Sequence, residues 1–385
     1  MRFLIRVLSA VLLFMVLPLV VSASSINGGR GLPHTKAAYT TRVNHLWAKA
    51  QTRFWGKKAE FTNEALGVQS GSTIWVVQGL TSLSYGLSKN AAVSLTPILY
   101  QDTHQESGND IFWDTFLDLR FGGYKIQGAP IWMGFNIGSR FPTGSHHNVI
   151  FEEYTAGRFE WGLTGMMSYR YLSPDLKYDY RVHLNLGYWN YNDSGRYLSD
   201  DRQDPDAYVS ANSQSFRYAL GFEFPTMIFD YGLEVYGLSW IIDPPPAAYS
   251  RENFLYMNVS LGYKPHPRFH FYANGDFRLT PDKDKSEGES LAFASLPNYP
   301  DWRVTLGLKY LISPKSVYEM HQQSYRQQKK SNRRKLLSQL QEEREKTAKT
   351  QQELQTLQEE KKQRQQQLHQ DNELAVDKNP NNPTN

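Results

Sequence analysis

Alternation of apolar and polar side chains along short segments is the feature that most limits how this chain can fold. In Tyr180–Trp189, Tyr, Val and Leu alternate with Arg, His, Asn and Gly, and the same dyad recurs in Ile131–Gly138 and Trp302–Tyr310. Side chains along a strand point to opposite faces, so each segment predicts a strand with one apolar and one polar face. Soluble sandwiches also alternate, but apolar stripes of about ten residues with aromatic ends are typical of transmembrane β-barrels.

The N-terminus has the sequence pattern of an export signal. Arg2 and Arg6 precede an apolar run over 7–21, which ends in the small residues Ser22 and Ala23. This pattern predicts a cleaved signal peptide over 1–23, the alternative being an uncleaved anchor helix. The chain has no cysteine, which excludes disulfides and the lipidated cysteine of a lipoprotein.

Composition favours a barrel over a helical membrane protein. The chain holds 24 Tyr, 20 Phe and 9 Trp, yet its mean hydropathy is −0.57. A barrel reconciles the two values, because half of each strand faces water while aromatic residues line the lipid boundary. The net charge of +4 is small and evenly interspersed, which does not favour nucleic acid as a partner.

Segments between turn signals predict about twelve strands, an even number as in single-chain bacterial barrels. Their spans are 43–55, 73–86, 91–100, 111–122, 131–140, 153–171, 179–190, 213–224, 229–239, 253–264, 268–279 and 301–312. The span 153–171 leaves open a second interpretation, two strands about a turn at Gly162. Short turns alternate with longer polar segments at 57–72, 101–110, 141–152, 191–212, 240–252 and 280–300. Barrels keep short turns in the periplasm, so we expect a barrel over 42–312 with both termini periplasmic.

The last predicted strand resembles the assembly signal of bacterial outer-membrane barrels. Thr305, Gly307, Tyr310 and Ile312 match its order of polar residue, glycine, aromatic and hydrophobic residue. The resemblance implies recognition by the barrel assembly machinery and a place in the outer membrane of a Gram-negative bacterium, in contact with its lipid.

Three further motifs resemble outer-membrane transporter barrels, loosely of the FadL type and the phenol-degradation transporter type. They are Phe141-Pro-Thr-Gly144 after a strand, Tyr263-Lys-Pro-His-Pro-Arg268 as a periplasmic turn, and Asp301-Trp-Arg-Val304 at the start of the last strand. The resemblance covers roughly 40–312 and implies barrel architecture rather than a substrate.

Three segments lie outside the predicted barrel. Residues 24–41, with Gly28-Gly-Arg-Gly31, form a glycine-rich periplasmic lead-in, and 371–385 are disordered by composition. Residues 313–370 form a periplasmic tail, rich in Gln, Glu, Lys and Arg, which predicts a long α-helix. Its best heptad seam is half apolar, so a weak coiled coil and a solitary charged helix both remain open.

The polar stripes of the strands predict the lining of a pore. Nine cations face six anions there, a tilt that favours anionic or polar solutes, because charged residues in a confined lumen set ion preference. The alternative is that these groups pair with one another and fill a small barrel. The predicted pore-lining residues are Asp114, Asp118, Arg120, Arg158, Glu160, Arg170, Arg181, His183, Arg217, Glu223, Glu234, Arg268, His270, Asp276, Arg278, Arg303 and Lys309.

The sequence gives little support for a catalytic site or a metal site. His146 and His147 are the best candidates for a hydrolase, but a polar loop tip explains them as well. The acidic run 200–206 indicates a solvated loop. The segment 282–288 begins like a calcium loop but has its glycine one position late, and Phe293 stands where the glutamate ligand belongs. We therefore expect no catalytic residues, no metal and no cofactor.

The sequence favours an outer-membrane channel or passive transporter for small polar or anionic solutes, not an enzyme. The first alternative is a plugged barrel that anchors the tail, which would bind a periplasmic partner, the cell wall or its own copies. The second alternative is an outer-membrane hydrolase.

Overall fold

Twelve long antiparallel strands dominate the computed structural model of the protein. The structure describes residues 25–63, 68–103, 110–111, 113–145, 147–148, 152–172, 179–198, 205–226, 228–266, 268–281, 299–313 and 315–377. In chain order the strands are β1 Leu46–Asn63, β2 Val68–Gly86, β3 Ala91–Thr103, β4 Thr115–Lys125, β5 Ile131–Phe141, β6 Glu160–Leu172, β7 Asp179–Asn190, β8 Gln214–Pro225, β9 Phe229–Ile242, β10 Phe254–His266, β11 Phe269–Arg278 and β12 Trp302–Leu311. Two-residue strands at Asp110–Ile111, Arg196–Tyr197 and Tyr208–Val209 and a 3₁₀ turn at Pro205–Ala207 lie in the connections.

The sheet closes on itself. Each strand pairs with its neighbours in sequence, and β1 pairs with both β2 and β12, where Trp47 lies opposite Leu311 and Phe54 opposite Val304. Closure leaves no unpaired edge. The predicted all-β, twelve-stranded antiparallel barrel is confirmed, and the span 153–171 contains the single strand β6, with Gly162 inside it.

The first hairpin differs from the prediction. The segment 57–72, expected to be a long loop, is mostly strand, because β1 and β2 stay paired as far as Asn63 opposite Val68. Continued pairing provides hydrogen-bond partners for the backbone N–H and C=O groups of both strands, in water as well as in lipid. The other five predicted loops do join strands at the same end of the barrel, which we call the long-loop end.

The outer face of the barrel is apolar. Met133 on β5 is 49% exposed and Leu306 on β12 is 58% exposed, and similar side chains project outward from the other strands. Soluble monomers rarely expose apolar patches larger than a few hundred Å². A closed barrel also satisfies its backbone hydrogen bonds internally, as lipid demands. The outer face is therefore built for a bilayer.

The segment before β1 lies inside the barrel. The sequence analysis assigned 24–41 to a periplasmic lead-in, but the structure places residues 25–41 in the lumen, in contact with side chains of β1, β2, β4, β6, β7, β9 and β11. The predicted signal peptide lies outside the described residues.

The chain ends in one long helix, α1, over Lys315–Asp377. Residues 1–318 and 319–385 form two separate units, so the helix and the barrel are described individually. The leucines Leu337, Leu340, Leu354 and Leu357 are about half exposed or more. The predicted coiled coil stays a prediction. No helix among the described residues is long and apolar enough to cross a membrane.

Candidate functional site

Most predicted pore-lining residues lie on the inward stripes of the strands. The inward set comprises Asp118, Arg120, Glu160, Arg170, Arg181, His183, Arg217, Glu223, Glu234, His270, Asp276, Arg278, Arg303 and Lys309. Asp114 is fully buried just before β4. Arg158 and Arg268 differ, because β6 begins only at Glu160 and β11 only at Phe269, which leaves these two arginines in connecting segments.

At the short-turn end, predicted residues pair with one another. Arg181 contacts Glu223 at 3.1 Å and Asp179 at 2.8 Å, and Asp179 also accepts from Arg170 at 2.7 Å. His183 lies 3.3 Å from Glu223. These five residues form one connected network of ion pairs and hydrogen bonds.

A carboxylate on β9 holds the N-terminal segment, residues 25–41. Glu234 accepts the backbone N–H of Thr35 at 2.6 Å and that of His34 at 3.1 Å. The His34 ring stacks on Tyr236 with centroids 3.6 Å apart, and its Nε2 lies 2.9 Å from Asp276 Oδ1. Glu234 therefore acts as an acceptor for two backbone groups that would otherwise be buried without partners.

Lys36 ties the same segment to the opposite wall. Its Nζ lies 2.5 Å from Asp118 Oδ1, an oxygen that also accepts from Asn136. The Asn185 amide accepts from the Lys36 backbone N–H at 2.6 Å and donates to its carbonyl at 2.8 Å. Hydrogen bonds to several strands thus fix the segment across the barrel.

The glycine-rich motif explains how the segment fits so closely. Gly28 and Gly29 have φ values of +85° and +78°, which glycine adopts without a steric cost. A Cβ at Gly28 would meet Ser82 Oγ at 2.3 Å, and one at Gly29 would meet Arg120 Nη2 at 2.8 Å. The motif is a turn packed against the barrel wall.

A cavity of about 210 Å³ lies between this segment and the long-loop end. The N-terminal segment lines it with Ile26, His34 and Lys36, and the loop 142–159 contributes Glu152 and Glu153. The rest of its wall comes from inward side chains of the strands, which combine arginines with apolar and aromatic groups.

Inward-folded loops cover the cavity. Ser250 Oγ donates to the Glu152 carbonyl at 2.5 Å, and Tyr299 OH donates to the Ser250 carbonyl at 2.7 Å. The Tyr154 and Tyr191 rings pack against each other nearby at a tilted angle, with centroids 5.3 Å apart, and both are buried. The lumen is therefore occupied at two levels, by the N-terminal segment and by these loops.

The two loop carboxylates differ in charge state. Burial raises the pKa of Glu152 to about 7, although the Arg53 guanidinium opposes this effect. Burial also acts on Glu153, but the guanidinium groups around it, led by Arg217 at 3.1 Å, outweigh burial and lower its pKa. Glu153 is thus ionised at neutral pH, and Glu152 is close to its midpoint.

Several lumenal groups escaped the sequence analysis. Lys49 and Arg53 project inward from β1, and Arg140 on β5 contacts Asp114 at 2.6 Å. The alternation in β1 and β5 could have indicated these three. Glu152 and Glu153 lie in a loop without periodicity, so no local signal marks them.

The residues considered for other chemistry are only partly described. His146 and the runs 200–204 and 282–288 lie outside the described residues. His147 lies beside Gly157 in the loop 142–159. Among the described residues, no group of three or more His, Asp or Glu side chains is arranged to hold a metal ion.

Solved outer-membrane proteins are similar to part of this chain. A crystal structure of an outer membrane channel from Pseudomonas putida F1 matches with 11% identity and a TM-score of 0.43, over 71% of this chain and 98% of that one. The NanC porin matches with 11% identity and a TM-score of 0.42, over 68% and 98%. The translocator domain of the autotransporter NalP from Neisseria meningitidis matches with 11% identity and a TM-score of 0.35, over 69% of this chain and 88% of that one.

No family model matches the chain, and no curated protein is a significant match. Likenesses this distant carry no information on substrate or mechanism, and the fold assignment depends on the strand pairing itself. The resemblance to FadL-type transporters stays a prediction.

Proposed function

We propose that the protein is an outer-membrane channel for small anionic solutes, closed at rest by the N-terminal segment. The observation that carries the proposal is the position of residues 25–41 across a lumen whose remaining cavity is lined by arginines. In this account the long-loop end faces outward and the short-turn end faces the periplasm.

The charge of the lumen supports the preference for anions. The inward side chains Lys49, Arg53 and Arg140 add to the cations that the sequence analysis counted. Arg120 and Lys309 are buried in the wall, and neither forms an ion pair with another of the described residues. A confined lumen with excess positive charge favours anions over cations.

Closure by the segment depends on polar contacts that can be broken and remade. Thr35, His34 and Lys36 are held by hydrogen bonds and one ion pair rather than by a large apolar core, although Leu32 is fully buried among the β8 and β9 glycines. Water entering an open lumen would satisfy the same groups, which lowers the cost of displacing the segment.

Glu234 provides the test of closure. In Glu234→Ala, two backbone N–H groups lose their acceptor, at about 1–3 kcal/mol each, so the displaced state should be populated at least about ten-fold more often. Glu234→Gln keeps an acceptor oxygen and should have a smaller effect. The measurement is the open fraction and the reversal potential of the full chain in planar bilayers, with an anion-favouring reversal potential expected.

Glu342→Ala, a change of the same chemistry on the exposed face of α1, serves as the control. Equal open fractions for wild type and Glu234→Ala, both shown to be folded by heat-modifiable gel migration, would contradict closure by the segment.

A filled lumen also favours the second candidate, a barrel that serves only as an anchor for α1. Ion conduction distinguishes the two candidates, because a barrel that is only an anchor need not conduct in any variant. A partner for α1, and recognition of Thr305, Gly307, Tyr310 and Ile312 by the assembly machinery, stay predictions.

A further inference from the structure

The cavity above the N-terminal segment has more cations than anions in its wall. Five cationic side chains line it against three carboxylates, Asp118, Glu152 and Glu153. The cations are Lys36, Arg53, Arg140, Arg217 and Arg303. Four of them have close carboxylate partners: Lys36 pairs with Asp118, Arg140 with Asp114, Arg303 with Asp276, and Arg217 with Glu153.

Two of the arginines, Arg53 and Arg217, are incompletely satisfied. Arg217 meets Glu153 at 3.1 Å and the Tyr191 hydroxyl at 3.2 Å, and it lies over the Trp189 ring. Arg53 donates to Gln78 at a long 3.4 Å. In both, Nε is buried and has no hydrogen-bond partner among the described residues. Guanidinium groups bind carboxylates with two parallel hydrogen bonds, so each of these arginines can donate to another anionic oxygen.

Other parts of the cavity wall are apolar. Leu80, Ile98 and Phe116 belong to one hydrophobic cluster, and Ala219, Leu238 and Phe254 belong to a second. A cavity of about 150 Å³ suffices for benzene. At about 210 Å³, this cavity has room for one six-membered ring and one acidic group.

The loop 142–159 supplies carboxylates where a ligand would bind. The Glu153 carboxylate forms an ion pair with Arg217. The Glu152 carboxylate accepts a hydrogen bond from the Gln78 amide at 2.8 Å, close to Arg53. Both are half-buried and reach the cavity from a loop rather than from the wall. They cover the arginines from the long-loop end.

We propose that this cavity binds a small organic anion, one carboxylate on a compact apolar body, and that Glu153 competes with it for Arg217. The inference rests on the proposed function, since it names the class of solute that the channel would take. The solute enters from the long-loop end, displaces the Glu153 carboxylate, and places its apolar body between the two hydrophobic clusters.

Binding can be measured without conduction. The probe is cyclohexanecarboxylate, titrated by calorimetry into the folded full chain in detergent, with empty micelles as the blank. Cyclohexanecarboxamide has the same shape without the charge, and acetate has the charge without the ring. We expect saturable binding of the carboxylate, and binding at least about ten-fold weaker for the amide and for acetate.

Two variants should move the affinity in opposite directions. Arg217→Gln removes the cation and should weaken binding about ten-fold, whereas Glu153→Gln removes the competitor and should tighten it several-fold. Arg196→Gln, an arginine on the exposed connecting strand Arg196–Tyr197, is the matched control and should leave the affinity unchanged. If the Arg217–Glu153 ion pair were purely structural, the two substitutions would not shift the affinity for the probe in opposite directions.

The site is refuted if the folded wild type shows no saturable binding, if the amide or acetate binds as well as the carboxylate, or if Arg217→Gln and Glu153→Gln shift the affinity in the same direction. A protein that conducts without binding the probe contradicts this site but not the channel. A protein that binds the probe without conducting contradicts the channel but leaves the site.

Discussion

At the scale of single residues, several buried charged side chains in the lumen each contact more than one partner. Asp276 lies between His34 and Arg303, at 2.9 Å and 3.2 Å, and Arg303 also donates to the Tyr236 hydroxyl. Removing one partner from such a buried group costs more than the pair contributes, because the other charge stays buried alone. Glu152 lies in a connecting loop, and burial raises the pKa of its carboxyl to about 7.

The pKa of Glu152 predicts a pH dependence of anion binding. Burial raises that pKa to about 7, so the carboxyl is neutral below this pH and ionised above it. The groups around it are Arg53 on β1, Arg140 on β5, Arg303 on β12 and its neighbour Glu153. Ionisation adds a negative charge beside the proposed site, so we expect the affinity for cyclohexanecarboxylate to fall several-fold as pH rises through about 7.

Calorimetric titrations on both sides of that pH check this expectation. Glu152→Gln stays neutral throughout and should remove the pH dependence while keeping the high affinity. A variant that retains the wild-type pH dependence would assign it to another group.

At the scale of elements, the sequence could predict what depends on local alternation and could not predict what depends on distant partners. The dyad period identified all twelve strands and most inward residues, because it follows from strand geometry alone. The position of the N-terminal segment in the lumen could not be predicted from local sequence. Its Thr35 N–H donates to Glu234 on β9, which lies 199 residues away along the chain. The cluster Gly28-Gly29-Arg30-Gly31 was its one local signal.

The same distinction applies to the candidate site. Inward arginines such as Arg217 and Arg303 follow from strand alternation, but their surroundings do not. The cavity needs the loop 142–159 to fold inward, and that fold depends on contacts with Gln78 and Ser250, which are far apart in sequence. The extension of β1 and β2 also depends on pairing, which their composition did not indicate.

The boundary between barrel and helix gives a prediction for the last element. Ser313 accepts the Leu46 N–H at 2.7 Å and donates to the Asn44 carbonyl at 3.0 Å, which ties the end of β12 to the start of β1. A chain ending at Tyr318 keeps these bonds and should form a barrel as heat-stable as the full chain. A chain ending at Ile312 loses both and should be less stable by about 1–3 kcal/mol.

Heat-modifiable gel migration over a temperature series measures both truncations. Failure of the longer one to fold would show that the barrel needs α1, contrary to the division of the chain into two units.

At the scale of the whole molecule, three layers fill the barrel interior. The ion pairs at the short-turn end, the N-terminal segment in the middle and the inward loops at the long-loop end each narrow the lumen. The ion pairs at the short-turn end are formed between wall residues, whereas the segment and the loops are attached by hydrogen bonds and by the ion pairs Lys36–Asp118 and Glu153–Arg217, all of which can exchange with water. The central claim is therefore that the segment is a removable closure.

A reversible covalent lock tests this claim most directly. The Ala38 N–H donates to Ser168 Oγ at 2.8 Å, so the two positions are in contact, and Ala38→Cys with Ser168→Cys introduces the two thiols of the lock into a chain that has no other cysteine. Single-channel currents of this variant should be absent in the oxidised state and should appear, with an anion-favouring reversal potential, when a reductant is added. Equal currents before and after reduction, or silence in both states from a folded barrel, would contradict the account.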